Sequence, residues 1–411
     1  MNIRTIKQIK NLNNQRVLVR VDFNVPIKNG KVIDDNRIKL SVPTIEYLLK
    51  KKAKVILLTH LGRPIGYDGK GKSGYDNSFS LKPVVKRAGE LLGRPIKFIA
   101  DQKIGRPDDQ QIYFANAKSE IEKMKAGEIV MLENMRFFPE EAKEISRLSK
   151  KIAELGEVVV LDCFAVAHRE AASVSGVTKY LPTYAGFLLE KEIVNLGKAT
   201  EDPKKPLVVV LGGVKMETKI PVLKQLLSKA DYILIGGGLA NTYFWAKGYK
   251  VGNSVIDKGY KKEALKLFKN KKVILPVDLV VGDENGLKIE VLKIDSKFKI
   301  QNSKLSIYDI GPETIGLFAE CLKHAKTIIW NGAMGYFEKH PYEYGTYAVA
   351  NLVADQSSGK TFGVCGGGET VEVLKKVNLL NDIDLVSTGG GAMLEFLSGK
   401  KLPGVRAVQI K

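Results

Sequence analysis

Cysteine is scarce in this chain. It occurs three times in 411 residues, as Cys163, Cys321 and Cys365, far apart and in no CxxC or Cys/His spacing. That excludes a zinc ribbon and a disulfide framework, and an odd count suits a reducing compartment. Long hydrophobic runs are also missing, so no segment has the length of a bilayer span. Met1 to Asn14 hold no extended apolar region, and no signal peptide is expected there. These absences together predict a cytoplasmic protein. Aromatic residues make up 8% of the chain and do not interleave with basic runs, which argues against a nucleic-acid surface. Repeats and low-complexity tracts are absent. Acidic residues are in deficit: 45 against 65 basic ones leaves a formal net charge of +20. The lysines are spread along the chain rather than gathered into arms. Such a balance attracts anions, and a phosphorylated metabolite needs only a few local charges.

What the chain does hold is an alternation of short apolar runs with amphipathic ones. Strands are expected at Val17–Val21, Lys54–Leu58, Lys97–Ile99, Ile129–Leu132, Val158–Leu161, Leu207–Leu211, Tyr232–Ile235, Val273–Leu275, Thr327–Trp330, Thr361–Cys365 and Leu385–Thr388. They are β-branched and nearly continuous in apolar character, as strands of a parallel sheet covered on both faces are. Pro43 and Pro312 mark the openings of two of the helices between them. The fold class expected is α/β, two doubly wound parallel-sheet (Rossmann-like) domains joined by a hinge helix. The boundary falls at the helical stretch Tyr184 to Ala199, ahead of the polar, proline-bearing Glu201 to Pro206. That divides the chain into residues 1–185 and 186–395, with 396–411 as a tail.

The second half is built around Thr361 to Thr370, an apolar run ending in Gly366, Gly367 and Gly368, then Glu369 and Thr370 at the start of a helix-like pattern. Glycines between strand and helix let a phosphate approach the backbone, and the helix N-terminus supplies oriented N–H groups. Glu369 adds a hard oxygen ligand that suits Mg²⁺. The same grammar recurs at Leu211 to Gly213, Gly236 to Gly238, Gly332 to Gly335 and Thr388 to Gly391. Five such turns in one half of a chain point to a nucleotide site. By contrast, Gly66 to Ser73 formally match a P-loop, and Gly69 to Gly74 a dinucleotide motif, but no strand directly precedes them and a turn sequence follows. A surface loop is expected there.

The first half carries arginines at strand ends. Asp22, Phe23 and Asn24 follow the first strand; His60, Leu61, Gly62 and Arg63 follow the second; Arg136 and Arg169 follow two others, and Arg37 precedes the first long helix. These positions converge on one edge of one sheet. Arginine offers bidentate geometry to phosphate and carboxylate, and a cluster of them needs a small polyanion to offset its self-repulsion.

Arg20-Val21-Asp22-Phe23-Asn24-Val25-Pro26, Thr59-His60-Leu61-Gly62-Arg63-Pro64 and Leu132-Glu133-Asn134-Met135-Arg136-Phe137 resemble phosphoglycerate kinase, and the match continues over nearly the whole chain. The resemblance implies reversible phosphoryl transfer between 1,3-bisphosphoglycerate with ADP and 3-phosphoglycerate with ATP. It implies that Asp22, Phe23, Asn24, Arg37, His60, Leu61, Gly62, Arg63, Arg136 and Arg169 bind 3-phosphoglycerate, with Arg37 on the transferring group. In the second half it implies that Lys215, Lys219, Gly237, Gly238, Asn331, Glu338, Gly367, Gly368, Glu369 and Thr370 bind the nucleotide, with Lys219 catalytic alongside Arg37 and Glu369 near Mg²⁺. Glu338 would hold the ribose, and the tail would pack back on the first domain. Ala333 stands where the family has proline, which is expected to loosen that turn. Glu369 stands where it has Asp, and Phe164-Ala165-Val166-Ala167-His168 where it has Phe-Gly-Thr-Ala-His. The enzyme so implied is a monomer acting on small molecules, with no nucleic-acid or membrane partner.

Two other classes make different demands on the sequence. A dehydrogenase needs a strand–GxGxxG–helix with a downstream acid, and the only GxGxxG here is the loop at Gly69 to Gly74. A nucleic-acid-binding protein would show salt-sensitive binding to DNA or RNA without kinase activity.

Overall fold

The structure, a computed structural model, describes residues 1–64, 75–100, 107–142 and 145–410. The expected loop Gly66 to Ser73 and the motif Gly69 to Gly74 lie outside these residues. The chain forms two compact units, Met1–Val194 with Lys401–Lys411, and Asn195–Lys400. The first division falls inside helix Phe187–Thr200, within the stretch Tyr184 to Ala199.

The first unit is built on a parallel sheet. Its strands lie in the spatial order Lys97–Ile99, Ile129–Leu132, Lys54–Leu58, Arg16–Val21, Val158–Asp162 and Thr183–Ala185. Val17, Leu18, Val19 and Val21 are all fully buried, because helices cover both faces and neither set of alternating side chains meets water. Helix Asn36–Lys50 lays Ile38, Ile45 and Leu48 on this core, one stripe at helical spacing. Pro43 lies inside that helix rather than at its opening. Its missing N–H leaves the Lys39 carbonyl without a helical donor, and both residues are exposed, so solvent can donate to that oxygen instead. The helix therefore starts earlier than Pro43 suggests, and Arg37 sits in its first turn rather than before it. Near the C-terminus, helix Pro403–Val408 joins the first unit. The Gly404 N–H donates to the Ala167 carbonyl at 2.8 Å, and Ile3 pairs with Gln409.

The second unit repeats the plan. Its parallel strands run in the order Val273–Ile274, Tyr232–Ile235, Leu207–Leu211, Thr327–Asn331, Phe362–Gly366 and Leu385–Ser387. Val208, Val210, Ile328 and Trp330 pack with Phe318, Leu322, Val349 and Val353 of helices Pro312–Lys323 and Tyr344–Ser357. An antiparallel sheet of Ile289–Lys293, Asp278–Gly282 and Ser306–Ile310 departs from the all-parallel expectation. Its outer strand exposes Ile289, Glu290, Val291 and Lys293, so it lacks the continuous apolar signature that marks the other strands.

In each sheet the strand order turns back on itself between two neighbours: Arg16–Val21 and Val158–Asp162 in the first, Leu207–Leu211 and Thr327–Asn331 in the second. Beyond the carboxyl ends of such a pair the following loops diverge and leave a crevice. No helix among the described residues is long and apolar enough to cross a membrane.

Candidate active site

In the first unit the candidate residues leave the carboxyl ends of four adjacent strands. Asp22, Phe23 and Asn24 follow Arg16–Val21, and His60 to Arg63 follow Lys54–Leu58. Arg136 follows Ile129–Leu132, and Arg169 follows Val158–Asp162. They are bonded to one another. Arg37 pairs with the Asp22 carboxylate, whose other oxygen lies 3.8 Å from His60 Nδ1. The Gly62 N–H donates to Asn24 Oδ1 at 2.9 Å, and Arg136 donates to the Gly62 carbonyl. The Phe23 N–H donates to Thr59 Oγ1 at 2.9 Å. Leu61 exchanges two hydrogen bonds with the Asn134 side chain, at 3.2 and 2.8 Å. Arg169 is half-buried and Arg63 exposed.

His60 reports the electrostatics. It is buried, and its pKa is held well below the ordinary histidine value, first by burial and then by the charges of Arg20, Arg136, Arg169 and Arg37. The imidazole is neutral at neutral pH because burial disfavours its charged form and four guanidinium groups add to that effect. One of the four, Arg20, is a residue that sequence reasoning missed as part of the site. It is 2% exposed. Its Nε donates to Ser173 Oγ at 2.8 Å, its Nη1 donates to the Val21 carbonyl, and its Nη2 lies 3.2 Å from His60 Nδ1. Glu141, buried beside it, accepts from the Ser173 N–H at 2.9 Å. Burial pushes its carboxyl up, while Arg20 holds it down. A lone arginine inside Val19-Arg20-Val21 was the available signal: a cation in a strand buried on both faces must have partners.

In the second unit every glycine turn leaves the carboxyl end of a parallel strand, and the turns are laced together. The Gly213 N–H donates to the Ala333 carbonyl and the Gly237 N–H to the Met334 carbonyl, both at 2.8 Å. Gly237 has φ of +61°, and a Cβ there would lie 2.9 Å from the Ala333 oxygen. Gly367 has φ of +101°, and a Cβ would lie 2.9 Å from Asn331 Nδ2. Only glycine meets both conditions without strain. Gly368 then opens helix Gly368–Lys376 with free space where a side chain would stand, and the first N–H groups of a helix have no partner within it. Thr370 Oγ1 accepts from the Gly332 N–H at 2.8 Å.

Lys219, in helix Met216–Leu226, is buried and donates to the carbonyl of Asn331 at 3.2 Å and to its side-chain oxygen. Asn331 Nδ2 donates in turn to the Gly366 carbonyl at 2.6 Å. Burial lowers the Lys219 pKa to about 8, with the Glu369 charge acting against that shift. Lys215 caps the same helix and is exposed. Ala333 is buried, its carbonyl bonded to Gly213 and its N–H 3.5 Å from Glu369 Oε2. A proline could not make that second contact.

A cavity of about 310 Å³ opens beside these turns, lined by Gly213, Gly237, Gly238, Glu338 and Glu369 among others. Lys215, Lys219, Asn331, Gly367, Gly368 and Thr370 are not in its wall; they flank it through Gly213 and Glu369. Glu338 is exposed at its rim, its carboxyl raised by partial burial and then by the Glu369 and Glu372 charges. Two lining residues had no sequence signal. Asp309 is buried, raised to about 8 by burial, and accepts from the N–H groups of Gly345 at 2.6 Å and Ile310 at 2.9 Å. Tyr308 stacks on Tyr336 at 5.8 Å. Among the described residues no group of three His, Cys, Asp or Glu side chains could hold a metal by itself.

The phosphoglycerate kinase family model matches residues 6–400. The phosphoglycerate kinase of Borrelia garinii subsp. bavariensis is 43% identical over 414 residues, covering 100% of both chains. That of Pseudothermotoga lettingae is 44% identical over 413 residues, covering 99% of this chain and 98% of its own. Among solved structures, phosphoglycerate kinase from Coxiella burnetii superposes with a TM-score of 0.85 at 37% identity, covering 99% of each chain. The enzyme from Pyrococcus horikoshii OT3 gives 0.82 at 34%, covering 99% of this chain and 98% of that one. With a family model spanning nearly its whole length and full-length relatives well above 30% identity, the chain belongs to the phosphoglycerate kinase family, the carboxyl-group phosphotransferases of glycolysis.

Proposed function

We propose that the arginine edge of the first unit binds 3-phosphoglycerate and that the glycine edge of the second binds the ATP or ADP between which and the acid the phosphoryl group passes. The observation that carries the first assignment is the buried, neutral His60 inside the field of four guanidinium groups. Four guanidinium groups outnumber the Asp22 and Glu141 carboxylates near them, and such an excess of positive charge suits a small polyanion. Asp22, Phe23, Asn24, His60, Leu61, Gly62, Arg63, Arg136 and Arg169 form the cradle in this reading. Arg37, with its side chain 39% exposed, reaches the transferring group. Lys219, Lys215, Asn331, Gly367, Gly368 and Thr370 take the phosphates, Gly237 and Gly238 the base, and Glu338 the ribose.

The acceptor is a carboxylate, already a nucleophile at neutral pH, so no general base is required. Its oxygen forms a bond to the γ-phosphorus as the bond to the β-bridging oxygen breaks, and the reverse step regenerates ATP. Catalysis then consists of in-line positioning and of neutralising charge on the equatorial oxygens, the work assigned to Arg37 and Lys219. Mg²⁺ is commonly held by one or two carboxylates together with substrate phosphates, and Glu369 beside an open helix N-terminus fits that pattern. Bound there, it would neutralise phosphate charge. Substrates held on different units must meet, which requires closure about a hinge. The enzyme works as a cytoplasmic monomer in this reading.

Calorimetry on Arg169→Ala tests the assignment. The affinity for 3-phosphoglycerate falls by about tenfold or more, since a charge-assisted hydrogen bond is lost, while MgADP binds as before. Unchanged 3-phosphoglycerate affinity would remove the cradle from the site.

A further inference from the structure

Among the described residues, the cavity beside the glycine turns contains a buried side-chain oxygen without a hydrogen-bond donor. Asn241 lies in helix Gly237–Ala246, on the face that also carries Gly237 and Gly238, because residues three and four apart share a side. It lines the cavity and is 4% exposed. Its Nδ2 donates to the Val255 carbonyl at 3.5 Å, and its Oδ1 has no donor among the described residues.

Around it, the buried carboxylate of Asp309 and four backbone carbonyls of the wall are engaged. Both oxygens of Asp309 accept backbone N–H groups. The Gly213 carbonyl accepts from Leu239, the Gly238 carbonyl from Thr242 Oγ1, the Ala333 carbonyl from Gly213, and the Met334 carbonyl from Gly237. Val255, Leu279, Ile307 and Met334 add an apolar surface to the wall, with Glu338 and Glu369 also in it. A slot of this kind suits a flat aromatic ring and asks it for one hydrogen-bond donor.

We propose that Asn241 is a specificity-determining residue whose Oδ1 accepts a hydrogen bond from the exocyclic amino group of adenine. The inference rests on the reading that this cavity holds the nucleoside end of the nucleotide. The same contact predicts weaker binding of a 6-oxo purine, which would set its oxygen against Oδ1. Rotating the amide to present Nδ2 would place Oδ1 against the Val255 carbonyl, acceptor against acceptor, so the Val255 bond fixes which end of the amide faces the cavity.

The test is a cycle between the amide and the amino group, read by calorimetry on the full chain with MgADP, the Mg complex of purine riboside diphosphate, which has no 6-substituent, and MgIDP. The unaltered protein binds ADP about tenfold more tightly than purine riboside diphosphate, and IDP most weakly, because a polar site left unpaired rejects the analogue that lacks its partner. In Asn241→Leu, ADP weakens about tenfold, purine riboside diphosphate changes less than about twofold, and the ratio collapses toward one. Asn241→Ala replaces it if the leucine variant fails to melt cooperatively. A ratio near one in the unaltered protein overturns the proposal whatever the variants do, and so does a ratio that survives the substitution. Glu338→Ala separates the two failures. If it weakens all three nucleotides alike while Asn241→Leu leaves the ratio intact, only the role of Asn241 is wrong. If neither variant changes any affinity, the cavity is not the nucleotide site.

Discussion

The two units offer two different kinds of candidate anion site. The first gathers charged side chains: Arg20, Arg37, Arg136 and Arg169 all act on His60, and long side chains reach the edge from four strands. The second relies on backbone: glycines at Gly213, Gly237 and Gly367 adopt positive φ, and its one buried cation, among the described residues, is Lys219. The contrast follows from what each site must hold in the proposed reading. A small acid offers little besides charge, so guanidinium forks suit it. A nucleotide offers a chain of phosphates and a ring, so a helix N-terminus and an apolar slot can share the work.

Loss of Arg37 is the most severe way to break the comparison. Arg37→Ala lowers kcat on the order of 10³-fold or more, with little change in the directly measured dissociation constant for 3-phosphoglycerate. Arg37→Lys recovers part of it, since an ammonium does not reproduce the planar fork. Near-normal turnover with weakened substrate binding would make Arg37 an ordinary clamp and move the catalytic role to Lys219. Removing that lysine comes next. Lys219→Ala lowers kcat by roughly 10²-fold, within the range for a lost charge-stabilising donor. Because the free-enzyme pKa is about 8, the cation is present below that pH and lost above it. The kcat/KM for MgADP therefore declines as pH rises through about 8, since this ratio reports free-enzyme groups. Lys219→Arg flattens that limb, and a limb that persists in it belongs to another group.

Smaller effects sharpen the contrast. Glu369→Gln weakens MgATP by about tenfold, the loss expected of one charged hydrogen bond or ligand, and leaves 3-phosphoglycerate unaffected. Equal MgATP affinity in calorimetry would take Glu369 out of the site. The subtlest change lies at His60. Its folded pKa is depressed below 6.5, so it contributes stability that is present above that value and lost as pH falls below it, when the unfolded chain takes up the proton first. Binding a polyanion among the arginines offsets their field, and the His60 pKa followed by NMR rises toward 6.5 on adding 3-phosphoglycerate. No movement would place the ligand elsewhere.

Much of this was legible in the sequence for one physical reason. A strand covered on both faces must be apolar throughout, so runs such as Val17–Val21 and Leu207–Leu211 announce themselves and the residues after them mark the ligand edge. The same reason hides Ile289–Lys293, whose exposed faces tolerate Glu290 and Lys293, and Thr183–Ala185, a short edge strand. Partners distant in sequence were not legible either. Arg20 meets Ser173 across 153 positions, and no local pattern names that pairing. Pro43 misled because a proline is tolerated mid-helix where the carbonyl it orphans faces water.

The most direct test of a charge-built site beside a backbone-built one is the salt dependence of the two affinities in the unaltered protein. Calorimetry with 3-phosphoglycerate and with MgADP, from about 20 mM to about 500 mM potassium chloride, spans Debye lengths from roughly 20 Å down to roughly 4 Å. The account predicts that 3-phosphoglycerate weakens by roughly an order of magnitude or more while MgADP changes only a few-fold. Parallel slopes, or the steeper slope on MgADP, would contradict it.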